Sequence, residues 1–280
     1  MGSQWAQIKK KVIHRMKKSF FYTITVIALL TVAGGKGFCQ SVMTMTTSPN
    51  TPKVNIGLLG SGKATIDWGD GKNEKIIKLC NRAEYPYFVY YHTYSDTFAH
   101  TITIIGKDIL VLYCENNQLI NLDISKNEKI ISLFCNKNNL TNLDVSKNIE
   151  LKSLDCKNNQ LKNLNISKNT KLTSLFCREN YLTNLNVCEN TVLYLLDCGY
   201  NQLTNLDLSK NIELEILRCE NNNFSETALN EMFKTICVYN KTNALGSEID
   251  IFGNSGADSC DKSIVENKGW YIFKKNLDKK

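Results

Sequence analysis

Six of the eleven cysteines, Cys114, Cys135, Cys156, Cys177, Cys198 and Cys219, stand 21 residues apart. Disulfide pairing needs no such period. The neighbours repeat with them: Leu112, Leu133, Leu154, Leu175, Leu196 and Leu217 come two positions earlier, and Asn117, Asn138, Asn159, Asn180, Asn201 and Asn222 three positions later. The unit reads L-x-x-L-x-C-x-x-N-x, then L-x-x-L-x-I/V-S-K-N-x-x, as in LKSLDCKNNQ followed by LKNLNISKNTK. A fixed period in the twenties marks a solenoid, whose coils bury their apolar faces only by stacking on one another.

Each residue type in the unit has a physical role. Leucine alternating with polar residues in L-x-C and L-x-I/V is the period-2 pattern of short strands with one face inward. Those strands are expected to pair with their equivalents in adjacent coils. An Asn at the strand end turns the chain while its amide satisfies backbone groups that the bend frees, which predicts an asparagine ladder. Over residues 109 to 224 this pattern resembles bacterial leucine-rich-repeat proteins of the internalin-like surface class. The resemblance implies a leucine-rich-repeat solenoid of the α/β horseshoe class, strand-rich, at the bacterial cell envelope. There are two departures: Cys replaces the usual second strand Leu, and the second half-coil is short and strand-like instead of helical, which predicts a flattened coil.

The cysteine ladder is read as core, because a thiol is a small hydrophobe and its equivalence to Leu points each sulfur inward. No His or Cys partner offers tetrahedral metal spacing, so no metal or cofactor is expected. Cys188 takes the place of Ser125, Ser146, Ser167 and Ser209 and reads as a substitution of similar size.

Terminal coils must be capped against exposed leucines and open strand edges. In the C-terminal cap, residues 225 to 280, Ser225 is the expected N-cap of a helix with Leu229, Met232, Phe233 and Ile236 at helical spacing. Ile249, Ile251 and Asn254 restore the repeat once more, and CDKSIVENKGW reads as a second helix ended by Gly269. Cys237 and Cys260 lie outside the ladder and are the best disulfide candidates in an oxidising compartment.

At the other end, residues 40 to 106 read as a small all-β cap, ahead of the repeats at 107 to 224. Its strands are KVNIGLL, KATIDW, EKIIKL and HTITII, with WGDGKN as a tight turn. IDWGDG and YHTYSDTFAHTITI resemble polycystic-kidney-disease-type immunoglobulin-like modules, although the stretch is shorter than such modules usually are. The resemblance implies a truncated or related β-sandwich.

Residues 1 to 39 hold seven basic residues and no acidic ones, leaving 27 of each sign beyond. A neutral body has no field to steer a polyanion, which excludes nucleic-acid binding as a main function. The basic start, the apolar Phe20 to Val32 and AGGKGFC follow the order of a secretory signal peptide, and Met16 opens a compact version of it. Cleavage after Cys39 leaves Gln40 as the mature terminus, whereas lipid attachment at Cys39 is disfavoured by bulky Phe38. The stretch of about 13 apolar residues is short of the roughly 20 that span a bilayer, so no membrane insertion is expected after cleavage.

Three near-motifs carry no chemistry. GLLGSGKA resembles a phosphate loop, but Ala64 stands where Ser or Thr would bind magnesium, and a strand follows instead of a helix. Asp67, Asp70 and Glu74 offer too few ligands for calcium. His92 and His100 have no nucleophile motif beside them, so acid–base catalysis is unsupported.

The outward positions between the inward Leu and Cys of successive coils are Tyr113, Phe134, Asp155, Phe176, Asp197 and Arg218. They are expected to be exposed and to line up over roughly 24 Å at the spacing of paired strands, which suits a protein segment or a glycan chain. Stacked aromatics could instead serve only to stabilise neighbouring strands. The second row, Asn121, Asn142, Asn163, Asn184 and Asn205, barely varies and reads as a solvated ladder. These features favour a secreted or cell-surface, non-enzymatic module that binds extracellular protein in adhesion or recognition. Glycan binding is the alternative. An exported hydrolase is remote, since Asp155 and Asp197 lie two coils apart on an open ladder without the walls of a cleft.

Overall fold

The computed structural model describes residues 41–72, 75–80, 89–238 and 247–273. The signal-peptide reading, with Met16 and Cys39, lies outside them, as does Glu74. No helix among the described residues is long and apolar enough to cross a membrane.

The chain forms a strand-rich leucine-rich-repeat solenoid with a small N-terminal β region and C-terminal helices. The β region contains β1 (Ser41–Thr47), β2 (Lys53–Asp67), β3 (Lys75–Lys78), β4 (Val89–Thr93) and β5 (Thr101–Tyr113). The expected KVNIGLL and KATIDW strands are one 15-residue strand, β2. Between them the chain bulges instead of turning, and Gly60 makes this possible: a Cβ there would lie 2.0 Å from the Asp108 carbonyl oxygen. Of the glycines of GLLGSGKA, Gly57 and Gly60 therefore serve close strand packing, and Gly62 supplies a positive φ at the bulge. β2 and β3 pair antiparallel across the WGDG turn, where Gly69 and Gly71 take positive φ.

β5 joins the two parts of the molecule. Its first half pairs antiparallel with β1, and its end, Val111 to Tyr113, pairs parallel with the first repeat strand. The expected boundary at residues 106 and 107 falls inside it. β6 (Leu119–Asp123) returns to pair with β1, whose alternating, fully buried Met43 and Met45 escape the sequence reading.

The ladder then continues through β7 (Ser132–Phe134), β8 (Ser153–Asp155), β9 (Ser174–Phe176), β10 (Leu195–Asp197), β11 (Ile216–Arg218), β12 (Ser247–Asp250) and β13 (Trp270–Ile272), each parallel to its neighbour. From β7 to β11 the register shift is 21 residues per coil, so every Leu, Cys and Asn stacks on its equivalent. Leu133, Leu154, Leu175 and the six ladder cysteines are wholly buried, each large apolar side chain contributing about 1.5–3 kcal/mol by leaving water.

After each strand one residue adopts a left-handed conformation: Asn116, Lys137, Asn158, Glu179, Tyr200 and Asn221, with φ between 52° and 56°. Such a conformation is costly for most of these types, and the asparagine ladder holds it in place. Asn159 shows how. Its Nδ2 donates to the carbonyls of Cys135 and Cys156, both at 3.0 Å, and its Oδ1 accepts from Leu140 N at 3.0 Å.

The second half-coils depart from expectation, because only the first of them, β6, is a strand. In later coils a single backbone bond ties each one to its neighbour there, such as Gln160 N to Leu140 O at 2.8 Å. An extended segment can bury Leu161 and Leu164 without a ladder, so the leucine spacing did not require strands.

The stack closes with α1 (Glu226–Thr235), capped by Ser225 accepting from Ala228 N, and the short α2 (Ser263–Glu266). Leu229, Met232, Phe233 and Ile236 all point into the core, as their spacing predicts. Asn254 extends the asparagine ladder by one coil, donating to Cys219 O and Ile251 O.

Candidate functional site

The ladder strands place Tyr113, Phe134, Asp155, Phe176, Asp197 and Arg218 directly side by side, with Asp250 next in line. All six sequence-predicted residues therefore share one row on one face.

Their exposure differs from expectation. Tyr113 is buried, and Phe134 and Phe176 are only half exposed. The cause lies in the N-terminal region, because β2 pairs with the outer edge of the ladder at Val111 to Tyr113 and brings Leu59 onto this face. Leu59, Val111, Tyr113 and Ile131 form a closed apolar cluster. Tyr113 packs over Gly57, where a Cβ would lie 3.1 Å from its own, and stacks on Phe134 with ring centroids 4.7 Å apart and planes 4° off parallel. At this end the row acts as packing between strands.

From the third coil onward the face is polar. Asp155 is buried and pairs with Lys157 at 2.9 Å, and the same ammonium lies 5.4 Å over the Phe176 ring. Burial raises the Asp155 carboxyl despite that partner. Asp197 is also buried, which pushes its carboxyl up to about 6; Arg178, 3.8 Å away, draws it down and nearby Glu220 raises it again. Arg218 bonds Glu248 at 2.7 Å. Asp250 is likewise raised, first by burial and then by Glu220.

A further outward row, one residue past the cysteines, was not singled out from the sequence. It carries Glu115, Asn136, Lys157, Arg178, Gly199 and Glu220, and the period-2 alternation that identified the first row also marks this one. Arg178 reaches across the intervening coil to bond Glu220, 42 residues away. Gly199 leaves room for this: a Cβ there would lie 2.8 Å from Glu220 Oε2 and 3.1 Å from Arg178 Nη1. The Arg178 guanidinium also lies 4.3 Å over the Tyr200 ring.

The other residues considered from sequence have structural surroundings. The ladder thiols of Cys114, Cys135, Cys156, Cys177, Cys198 and Cys219 are buried in apolar core, which pushes all six up and keeps them protonated. Cys188 keeps the turn bond of the serines it replaces, its N–H donating to Asn186 Oδ1 at 3.0 Å. Cys237 and Cys260, the disulfide candidates, are both free thiols. Asn121, Asn142, Asn163, Asn184 and Asn205 are exposed, as expected of a solvated row.

In the N-terminal region Asp67 and Asp70 accept the N–H groups of Gly69 and Lys72 and so cap the turn. His92 bonds Asp70 at 3.0 Å and stacks on Trp68. His100 bonds Asp96 at 2.8 Å and stacks on Tyr94, whose hydroxyl donates to Trp68 O at 2.8 Å. Both histidines thereby knit a corner of the β region. Among the described residues, no group of three or more His, Cys, Asp or Glu side chains is arranged to hold a metal ion.

No protein-family model matches the sequence, and no curated protein matches it. Solved structures do. The functional domain of InlJ from Listeria monocytogenes, described as including a cysteine ladder, is 27% identical over 56% of this chain and 42% of its own, with a TM-score of 0.32. The internalin InlF of the same bacterium is 17% identical over 54% of this chain and 46% of its own, at a TM-score of 0.41. Internalin C2, also from Listeria monocytogenes, is 19% identical over 59% of this chain and 81% of its own, at 0.40. The chain thus spans less than half the length of the first two. These are distant and partial likenesses to leucine-rich-repeat solenoids.

Proposed function

We propose that the chain is a non-catalytic binding module that holds an extracellular protein on the outward face of its strand ladder, in adhesion or recognition at a bacterial cell envelope. One observation carries this reading: Tyr113, Phe134, Asp155, Phe176, Asp197 and Arg218 stand in a single straight row, and their chemistry changes from coil to coil while the Leu, Cys and Asn beneath them hardly change. The scaffold fixes the spacing and leaves the outward side chain free to vary, which is how repeat proteins tailor a contact surface. Within the row, Phe134, Phe176 and Arg218 are partly exposed; Phe134 is held by its stack on Tyr113, which leaves Phe176 and Arg218 as the contact residues. Aromatic and Arg side chains are the types that dominate protein contacts.

Asp155 and Asp197 beside the Phe176 ring could also hold a sugar, which keeps glycan binding as the second reading. A screen of the full chain against extracellular-protein and glycan arrays, with a Phe176→Ala/Arg218→Ala variant beside it, tests both. A protein ligand lost in the variant supports the first reading and a glycan lost in it the second. Ligands that bind both forms equally would move the function off the ladder.

A further inference from the structure

The end of the ladder face distal to the N-terminal region holds a carboxylate with an unused oxygen. Glu220 is only 6% exposed; its Oε1 is bonded to Arg178, and its Oε2 is buried with no hydrogen-bond partner among the described residues. A buried carboxylate oxygen without a donor is costly, and its persistence calls for an explanation. That oxygen faces the bare backbone of Gly199, within 2.8 Å of where a Cβ would stand. Asp197 and Asp250 lie close enough to Glu220 to be raised by its charge, and Glu248 lies next to Arg218. Four carboxylates thus surround two guanidiniums, and the cluster is short of positive charge.

Among the described residues Arg178 is the only side chain that donates to Glu220, and it has a second partner beside it. Its Nε lies 3.4 Å from the carboxylate of Glu179, an exposed residue on the rim of the face. Rotation toward Glu179 would leave Arg178 paired and open both oxygens of Glu220.

We propose that Arg178 is a built-in placeholder, and that the space over Gly199 takes the guanidinium of an arginine from a protein partner, which donates to both oxygens of Glu220 while Arg178 moves to Glu179. A guanidinium is the group that the space already accommodates, and its planar fork matches a carboxylate with two free oxygens. The inference rests on the ladder reading and deepens it, by giving the partner an arginine at this end of the face.

The test uses an octa-arginine peptide and the full chain, with affinity read by calorimetry at low and high salt. Four variants accompany the wild type: Arg178→Gln, Glu220→Gln and, as controls of the same charge change away from the ladder face, Lys168→Gln for the first and Asp258→Asn for the second. A placeholder taxes the affinity of whatever replaces it, so Arg178→Gln should bind about tenfold more tightly, Glu220→Gln about tenfold more weakly, and Lys168→Gln and Asp258→Asn like wild type. Thermal melting of each variant separates lost binding from lost folding; if Glu220→Gln melts early, the gain in Arg178→Gln alone decides. Unchanged or weaker binding by folded Arg178→Gln, a gain that Lys168→Gln matches, or equal losses in Glu220→Gln and Asp258→Asn, would overturn the proposal. A ladder-dependent array ligand that lacks arginine and is indifferent to Glu220→Gln would overturn it too, while leaving the ladder reading standing.

Discussion

Each coil turns through two halves of nearly the same sequence, L-x-x-L-x-C-x-x-N and L-x-x-L-x-I/V-S-K-N, yet the halves are built differently. In the strand half every Asn amide is used at both ends, as with Asn159, which binds two carbonyls and one N–H. In the return half Asn169 donates to Val145 O and Asn148 O, while its Oδ1 is buried without a partner, a pattern shared by Asn127, Asn148, Asn190 and Asn211. The carboxylates divide the same way. Burial raises Asp155, Asp197 and Asp250 on the strand face, whereas Asp123, Asp144 and Asp207 on the return side are lowered by bonds from Ser125, Ser146 and Ser209. Similar motifs thus yield a rigid, partly dehydrated face on one side and a solvated row of turns on the other.

The sharpest way to break this comparison is to remove one Asn from each half. Asn159→Ala strands the Leu140 N–H in the core and leaves the Cys135 and Cys156 carbonyls one ladder amide each, from Asn138 and Asn180, so it should cost roughly 2–4 kcal/mol in urea unfolding. Asn169→Ala strands no group, because the Val145 and Asn148 carbonyls keep the N–H groups of Asn148 and Leu151, and its loss should be smaller by roughly 1–2 kcal/mol. Equal losses would mean that the unused amide oxygens of the return half are satisfied in solution.

The carboxylates predict opposite pH dependences. Because Asp197 is raised in the folded state, its contribution is fully present below the usual Asp range and is lost as pH rises through about 6. Asp197→Asn should therefore raise stability at pH 8 by roughly 2–3 kcal/mol and flatten the decline between pH 4 and 6. Asp207 has the reverse sign: its contribution is present at neutral pH and lost as pH falls through its lowered value. Asp207→Asn should remove that acid-side loss and change little at pH 8, since Asn165 and Asn186 make the same turn bond in other coils. Thermal melts from pH 3 to 8 read both, and parallel curves for the two variants would contradict the division.

The cysteines give the smallest contrast. Cys156→Ser places a hydroxyl in a fully apolar core and should cost about 1–3 kcal/mol. Cys188→Ser, on a half-exposed turn where four other coils already carry Ser, should stay within about 0.5 kcal/mol of wild type by the same assay.

What could be read from sequence follows the same divide. The coil register, the inward thiols, the asparagine ladder and the side-by-side row at Tyr113 to Arg218 all follow from a period that each coil states for itself. Burial of Tyr113 was not legible, because it depends on Leu59 and Gly57 of β2, more than fifty residues earlier in the chain. The Arg178–Glu220 bond needed the absence of a side chain at Gly199, a signal visible only once that row is laid out coil by coil. Strands were expected in the return half because alternating leucines state which side chains are buried; they do not state whether the backbone finds a ladder partner.

β5 belongs to both parts of the molecule, antiparallel to β1 along its first half and parallel to β7 at its end. Load applied to the β region is therefore handed to the first coil through a continuous backbone, without passing through a flexible hinge. From there it spreads across the sheet, one strand to the next. A ligand gripped on the ladder would be held by a stiff lever whose weakest joint is the few short bonds between coils, so under tension the stack is expected to peel coil by coil from its far end while β5 keeps its hold.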